Sequence, residues 1–178
     1  MLNSKWELIE PTLITKTLQK TIMRENGQAT WFEIKIKYDK IMEDGLQKSV
    51  TEPYVMDALT FTEAEENIIS EMSAFISGEF EVKDIKKASF RGIFFSDDPK
   101  DDRWYKAKVQ FIIIDEKSGK EKYSSVNYLV QGRSLQNAIK NVEEVMNGGL
   151  QDWKFASIAE TPFMDVFEHN EARTKKEE

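Results

Sequence analysis

Two tryptophan–lysine segments carry the clearest chemical signal in this sequence. Trp31, Lys35 and Lys37 share one side of an alternating stretch, and Trp104, Lys106 and Lys108 nearly repeat it, with Lys106 where the first copy has Glu33. An indole plane beside ammonium groups on a sheet suits single-stranded nucleic acid, because bases stack on the ring while lysines meet phosphates. Each stacked base is worth about 1–3 kcal/mol. The competing reading is that each tryptophan covers its own sheet while the lysines stay solvated.

Carboxylates are the next candidates. Glu52, Glu79 and Glu160 stand near prolines or glycines, and Asp57, Asp84 and Asp165 fall where strands end. A facing pair could hold a divalent cation or exchange protons. No D-x-D, E-x-x-H or E-x-K pattern in a convincing context supports that chemistry, so solvated surface charge is the expected role. Nucleophilic catalysis has less support. The G-x-S-x-G elbow is missing and the lone histidine, His169, sits in a polar tail, which removes a Ser/His/Asp triad. Neither G-x-x-x-x-G-K-[ST] nor G-x-G-x-x-G occurs. The chain has no cysteine, so disulfides, thiolate catalysis and cysteine metal sites are excluded. The expectation is a protein that is not an enzyme and uses no metal or cofactor.

Charge and hydropathy narrow the setting. A net charge of −7 argues against wholesale coating of duplex DNA but leaves room for a local basic face. No apolar run approaches the about 20 residues that cross a bilayer. The opening Met1-Leu2-Asn3-Ser4-Lys5-Trp6-Glu7 lacks the long apolar segment of a signal peptide. A soluble, cytoplasmic protein is expected.

The elements that position these residues come in duplicate. Trp31-Phe32-Glu33-Ile34-Lys35-Ile36-Lys37-Tyr38 returns as Trp104-Tyr105-Lys106-Ala107-Lys108-Val109-Gln110-Phe111. The match continues through Gly45 with Gly119, Tyr54 with Tyr128, Ala64 with Ala138, Met72 with Met146, Phe90 with Phe163 and Phe94 with Phe167. A fixed offset this long is an internal duplication. Each copy reads as strand, turn, strand, helix, strand. The first strand alternates with period two, Met42-Glu43-Asp44-Gly45 and Glu116-Lys117-Ser118-Gly119 supply hairpin turns, and Pro53 marks an edge or a bulge in its strand. Thr60-Phe61-Thr62-Glu63 fits a capping box. Phe61, Ala64, Ile68, Met72, Phe75 and Ile76 form one helix stripe; Leu135, Ala138, Ile139, Val142, Val145 and Met146 form the other. Third strands follow near Phe80–Ile85 and Trp153–Ile158. Phe90, Phe94 and Phe95, echoed by Phe163 and Phe167, are expected to pack in the core or between repeats, with partner docking as the alternative.

The predicted organisation is an N-terminal extension (1–30), a first repeat (31–95), an exposed polar linker (96–103), a second repeat (104–167) and a disordered tail (168–178). In the extension, Thr17–Met23 is either a strand entering an Arg24-Glu25-Asn26-Gly27 turn that leads into the Trp31 strand, or a short helix over Thr15–Met23. The fold class is α+β: two strand-strand-helix-strand units, both helices on one face of a shared, largely antiparallel sheet, with two separate sheets as the alternative.

With the repeats in place, the residues resemble the bacterial family known as domain of unknown function 4494, found in Bacteroidota and their mobile elements. The matching stretches include Trp31-Phe32-Glu33, Glu52-Pro53-Tyr54, Phe61-Thr62-Glu63-Ala64-Glu65, Ile76-Ser77-Gly78-Glu79-Phe80, Asp102-Arg103-Trp104-Tyr105-Lys106 and Glu160-Thr161-Pro162-Phe163-Met164-Asp165-Val166-Phe167. They span about Trp31 to Phe167. Members of the family begin near the position of Trp31, so the segment before it is a departure. The resemblance supplies no activity.

The sequence therefore raises a non-enzymatic binding protein of a phage or mobile element that engages single-stranded nucleic acid through the Trp/Lys face. From another class comes a protein-binding adaptor or inhibitor using the seam between repeats or the N-terminal extension. A nucleotide-sequestering protein is the third reading.

Overall fold

The computed structural model describes residues 20–23 and 30–168. In chain order the elements are β1 (Lys20–Met23), β2 (Thr30–Ile41), β3 (Gln47–Ala58), α1 (Phe61–Phe75), β4 (Phe80–Lys87), β5 (Gly92–Phe95), β6 (Arg103–Ile114), β7 (Glu121–Gly132), α2 (Leu135–Asn147), β8 (Trp153–Glu160) and β9 (Val166–Phe167). The class is α+β, as the sequence indicates. The single shared sheet is not what forms. The strands make two sheets, ordered β4-β2-β3-β9 and β1-β5-β7-β6-β8, each with its own helix, which is the alternative arrangement. Each amphipathic helix finds enough cover on its own hairpin, so nothing requires the sheets to merge.

The chain divides into two compact units. The first holds β2, β3, α1, β4 and β9; the second holds β1 and Phe90–Thr161. The divisions at 89/90 and 161/162 precede the repeat ends read from the sequence, because the last strand of each repeat pairs in the other unit. β5 ends the first repeat yet lies parallel to β7, with Gly92 opposite Tyr128 and Phe94 opposite Val130. β9 ends the second repeat and lies parallel to β3, with Val166 opposite Val55 and Phe167 opposite Met56. The two pairings are equivalent under the duplication. So are the bulges, at Lys35/Ile36 and at Lys108/Val109, and the left-handed turn glycines, Gly45 (φ 80°) and Gly119 (φ 64°). The 24–29 segment with its Asn-Gly pair lies outside the described residues. β1 is a strand rather than a helix, but it pairs antiparallel with β5 and not with β2, so the hairpin reading of the extension is corrected.

The helices start as their sequences dictate. Thr60 Oγ1 accepts the Glu63 N–H at 3.1 Å, and Glu63 reaches back to accept the Leu59 N–H at 3.0 Å. The second copy keeps this reciprocal cap with asparagine in place of glutamate: Ser134 Oγ accepts the Asn137 N–H, and Asn137 Oδ1 accepts the Arg133 N–H, both at 3.2 Å. Two orphan amides are satisfied at each start. Ala64, Ile68 and Met72 then face Phe32, Ile34, Ile36 and Met56 in the first core, while Ala138, Val142 and Val145 face Tyr105, Val109 and Phe111 in the second. Phe61 and Phe75, expected in the α1 stripe, are exposed; they sit at the two ends of the helix, where Phe61 packs edge to face on Phe32 and Phe75 lies against Phe167.

Pro53 occupies a place that tolerates it. Its carbonyl accepts the Met164 N–H at 2.9 Å, so its nitrogen faces the same side of β3, just short of where β9 begins, and no ladder bond is lost. The polar 96–103 connection is mostly exposed, yet Asp101 is buried within it. It accepts the Ser96 hydroxyl hydrogen bond at 2.5 Å, and Arg133 contacts Asp98 at 3.2 Å.

Met72→Ala and Val142→Ala each open a cavity beneath a helix and should destabilise by about 2–4 kcal/mol. Exposed Glu66→Ala should stay within about 0.5 kcal/mol. Urea midpoints of the three variants read the difference directly.

Candidate functional site

The two tryptophans do not present a face to solvent. Trp31 is 2% and Trp104 3% exposed. Strand alternation puts them on the side opposite the helices, but that side of each sheet is covered at the tryptophan end, where Val55, Asp57 and Val166 are buried in the first unit and Ile93 and Leu129 in the second. Phe95 packs against Trp104 edge to face at 5.5 Å. Neither indole is available to stack a base, which corrects the platform read from Trp31 and Trp104.

The lysines fare differently in the two units, and the trios lie in separate sheets. Lys35 and Lys37 are exposed but stand in register with Asp84 and Glu81, and Lys86 ion-pairs with Glu33 at 3.0 Å. The Lys83 ammonium, with Lys37 adding to it, holds the Glu81 carboxyl below its ordinary range. This face is charge-compensated. In the second unit Lys106 is half-buried and faces Leu129 and Ala159, while exposed Lys108 faces Asn127 and Ser157. On the same face Lys154 lies 4.0 Å over the Tyr123 ring. No carboxylate stands in register with either lysine.

The carboxylates scatter. Asp57 is buried, Asp84 faces Lys35, Glu79 and Glu160 are exposed, and Asp165 accepts the Val166 N–H at 2.8 Å. Among the described residues no group of three or more acidic or histidine side chains is placed to hold a metal ion. Glu52, in contrast, anchors a cluster that the strand alternation allowed but did not announce. It accepts hydrogen bonds from the Tyr38 hydroxyl (2.8 Å), the Tyr54 hydroxyl (3.0 Å) and the Lys40 ammonium (3.1 Å). Burial alone would push its carboxyl up, but these donors outweigh that and hold it below the ordinary range. Burial and the Glu52 bond push the Tyr54 phenol up. A carboxylate with this many donors is a fastening, not a poised base. Of the four equivalent residues in the second unit, Phe111, Ile113 and Val126 are apolar and the fourth is Tyr128.

Strongly exposed apolar side chains recur at the two hairpin tips. β2 and β3 stay paired out to Ile41 and Gln47, whereas β4 ends opposite Tyr38. β6 and β7 stay paired to Ile114 and Glu121, whereas β8 ends opposite Phe111. Each hairpin thus runs on as a two-stranded ribbon. Ile41 is 74% exposed, Leu46 67% and its neighbour across the turn Met42 partly so; in the other ribbon Ile114 is 67% exposed and Ile113 is exposed beside it. Ile41 and Ile114 are equivalent positions of the duplication. At the base of the second ribbon, Ile112 lines an open recess of about 410 Å³ with Met146, Leu150 and Trp153.

A family model described as Domain of unknown function (DUF4494) matches residues 30–169. The chain belongs to this family. The DUF4494 match begins at the first residue of β2 and takes in both hairpins, both helices, β5 and β9, while β1 lies outside it. Its Glu52-Pro53-Tyr54 stretch supplies two members of the carboxylate–tyrosine cluster. No curated protein and no solved structure matches the chain.

Because the folded state depresses the Glu52 carboxyl, its contribution is present above the unfolded value of about 4.3 and disappears as pH falls through the lower folded value. Glu52→Gln should therefore be less stable than the wild type at pH 7, and the gap should narrow below about pH 4. Denaturant midpoints of both proteins across pH 3 to 7, roughly spanning that value, measure it.

Proposed function

We propose that this protein is a non-enzymatic, intracellular binding protein, of phage or mobile-element setting, that engages another protein through the apolar tips of its two β-ribbons. The observation that carries the reading is the recurrence of a strongly exposed isoleucine, Ile41 and Ile114, at equivalent positions of both repeats. A ribbon tip needs no aliphatic side chain to fold; turn and charge chemistry alone would close it. Clustered exposed aliphatics mark contact surfaces on soluble proteins. Each cluster is ringed by charge of both signs, Asp39, Lys40, Glu43 and Lys48 around the first and Asp115, Lys117, Glu121 and Lys122 around the second. An apolar centre with a polar rim is how protein interfaces are built. The fitting partner offers shallow apolar recesses edged by both charges. The absence of any nucleophile–base pair or phosphate loop in the sequence supports the non-enzymatic part.

A second reading, single-stranded nucleic acid on the second unit alone, is favoured by one observation: Lys106, Lys108 and Lys154 share a face with the partly exposed Tyr123 ring. It keeps Lys106 and Lys108 of the original site and gives up the tryptophans.

A photo-crosslinking side chain placed at position 41 or 114 in cells should form adducts with one and the same protein, and at Glu66 or Lys140 should not. With that partner purified, Ile114→Asp should weaken binding at least about tenfold, the loss of one buried anchor. Equal adducts from all positions would sink the ribbon reading. An oligonucleotide that binds at low salt and is lost on Lys108→Glu with Lys154→Glu, while Ile41→Asp and Ile114→Asp leave it unchanged, would put the second reading in its place.

A further inference from the structure

The duplication leaves one position of the fold filled in one unit and, among the described residues, without a strand in the other. β5 and β9 are equivalent strands, each parallel to the second strand of a hairpin. β5 carries a further neighbour on its outer side, β1, antiparallel, with Thr21 opposite Phe94 and Ile22 opposite Ile93. β9 ends its sheet, and among the described residues no strand lies beyond it. The hydrogen-bond pattern fixes which groups face that empty side. The Asp165 carbonyl accepts the Val55 N–H and the Met164 N–H reaches Pro53, so residues 164 and 165 bond inward to β3. Val166 stands opposite Val55 in this parallel ladder, whose inward bonds are made by the residues flanking it, so it points its N–H and C=O outward.

One difference between the two edges bears on that outward N–H. Where β5 begins with Gly92, β9 is preceded by Asp165, and its Oδ1 accepts the outward N–H of Val166 at 2.8 Å. That carboxylate occupies the donor an incoming strand would need. Glycine at the equivalent place has no side chain and leaves the Ile93 N–H to β1. Sheets commonly blunt a free edge with a charged residue, because an unpaired edge recruits strands from other chains.

We infer that the outer edge of β9 is a docking edge for the Lys20–Met23 segment of a second copy of this chain, and that Asp165 holds it shut. The occupant follows from the fold. Lys20–Met23 is the segment that covers the matching edge, its register carries over by the duplication to Asp165–Glu168, and Lys20 would fall opposite Glu168, where β5 has Phe95. This closure keeps the chain from linking to its copies while the same segment serves its own sheet.

The test opens the edge by restoring what β5 has. Asp165→Gly should self-associate at least about tenfold more tightly than wild type by sedimentation velocity, the worth of one freed backbone pairing. Asp165→Asn keeps an oxygen acceptor and should behave as wild type. Adding Ile22→Pro to Asp165→Gly removes the strand's N–H and should abolish the association. A labelled peptide of residues 17–25 should bind Asp165→Gly and not wild type or Asp165→Asn, read by anisotropy on protein whose circular dichroism is native. Association of Asp165→Asn equal to that of the glycine variant would make charge, not capping, the barrier. Association surviving Ile22→Pro would mean β9 pairs with β9. Either result overturns the inference, as does an Asp165→Gly protein that is folded, monomeric and blind to the peptide.

Discussion

The whole arrangement turns on two parallel strand pairings that the chain makes with its own distant sequence. A β-hairpin leaves the outer side of its second strand unpaired, and a buried edge of that kind is costly. Here the side is closed by a short strand whose phenylalanine also packs on the recipient sheet: Phe94 stacks on Tyr128 with centroids 4.8 Å apart, and Phe167 on Tyr54 at 6.0 Å. The equivalent tyrosines receive the equivalent phenylalanines. Backbone pairing and ring contact therefore act together at each edge, and the strand that supplies them always comes from the other repeat.

Within that shared plan the two units have diverged in what fills the far end of the hairpin. The second unit continues its apolar core outward, with Phe111, Trp153 and Phe155 grouped there and burial pushing the Tyr128 phenol up to about 12. The first unit places a carboxylate at the same level and satisfies it with two hydroxyls and an ammonium. Both solutions hold the ribbon's base in place, one by excluding water and the other by saturating a charge. The differing lysine faces follow the same divergence, since only the first unit lays acidic residues opposite its lysines.

What the sequence made legible was local or periodic. Hairpins announced themselves through alternation and two glycines, helices through caps and stripes, and the duplication through its offset. Long-range facts were not written there. A period of two says that Trp31 and Lys35 share a side but not that the tryptophan end of that side is covered while the lysine end is open. Gly92–Phe95 and Val166–Phe167 are too short to show a period, so aromatic residues that closed sheets read only as packing. Lys20–Met23 carried strand propensity without its pairing, and the neighbouring Asn-Gly pair suggested the wrong partner. The Glu52 fastening needed the register of two strands before Tyr38, Lys40 and Tyr54 could be seen to converge.

Exchange of the closing strands also has a consequence for how the protein is made. A ribosome delivers β2, β3, α1 and β4 long before β9, yet Val55 must wait for Val166 before its sheet is complete. The second unit receives β5 before β7 has emerged. The half synthesised first is thus the half that closes last. It is the second half, whose closing strand is already in hand when its own hairpin appears, that can close that edge of its sheet without waiting for β9.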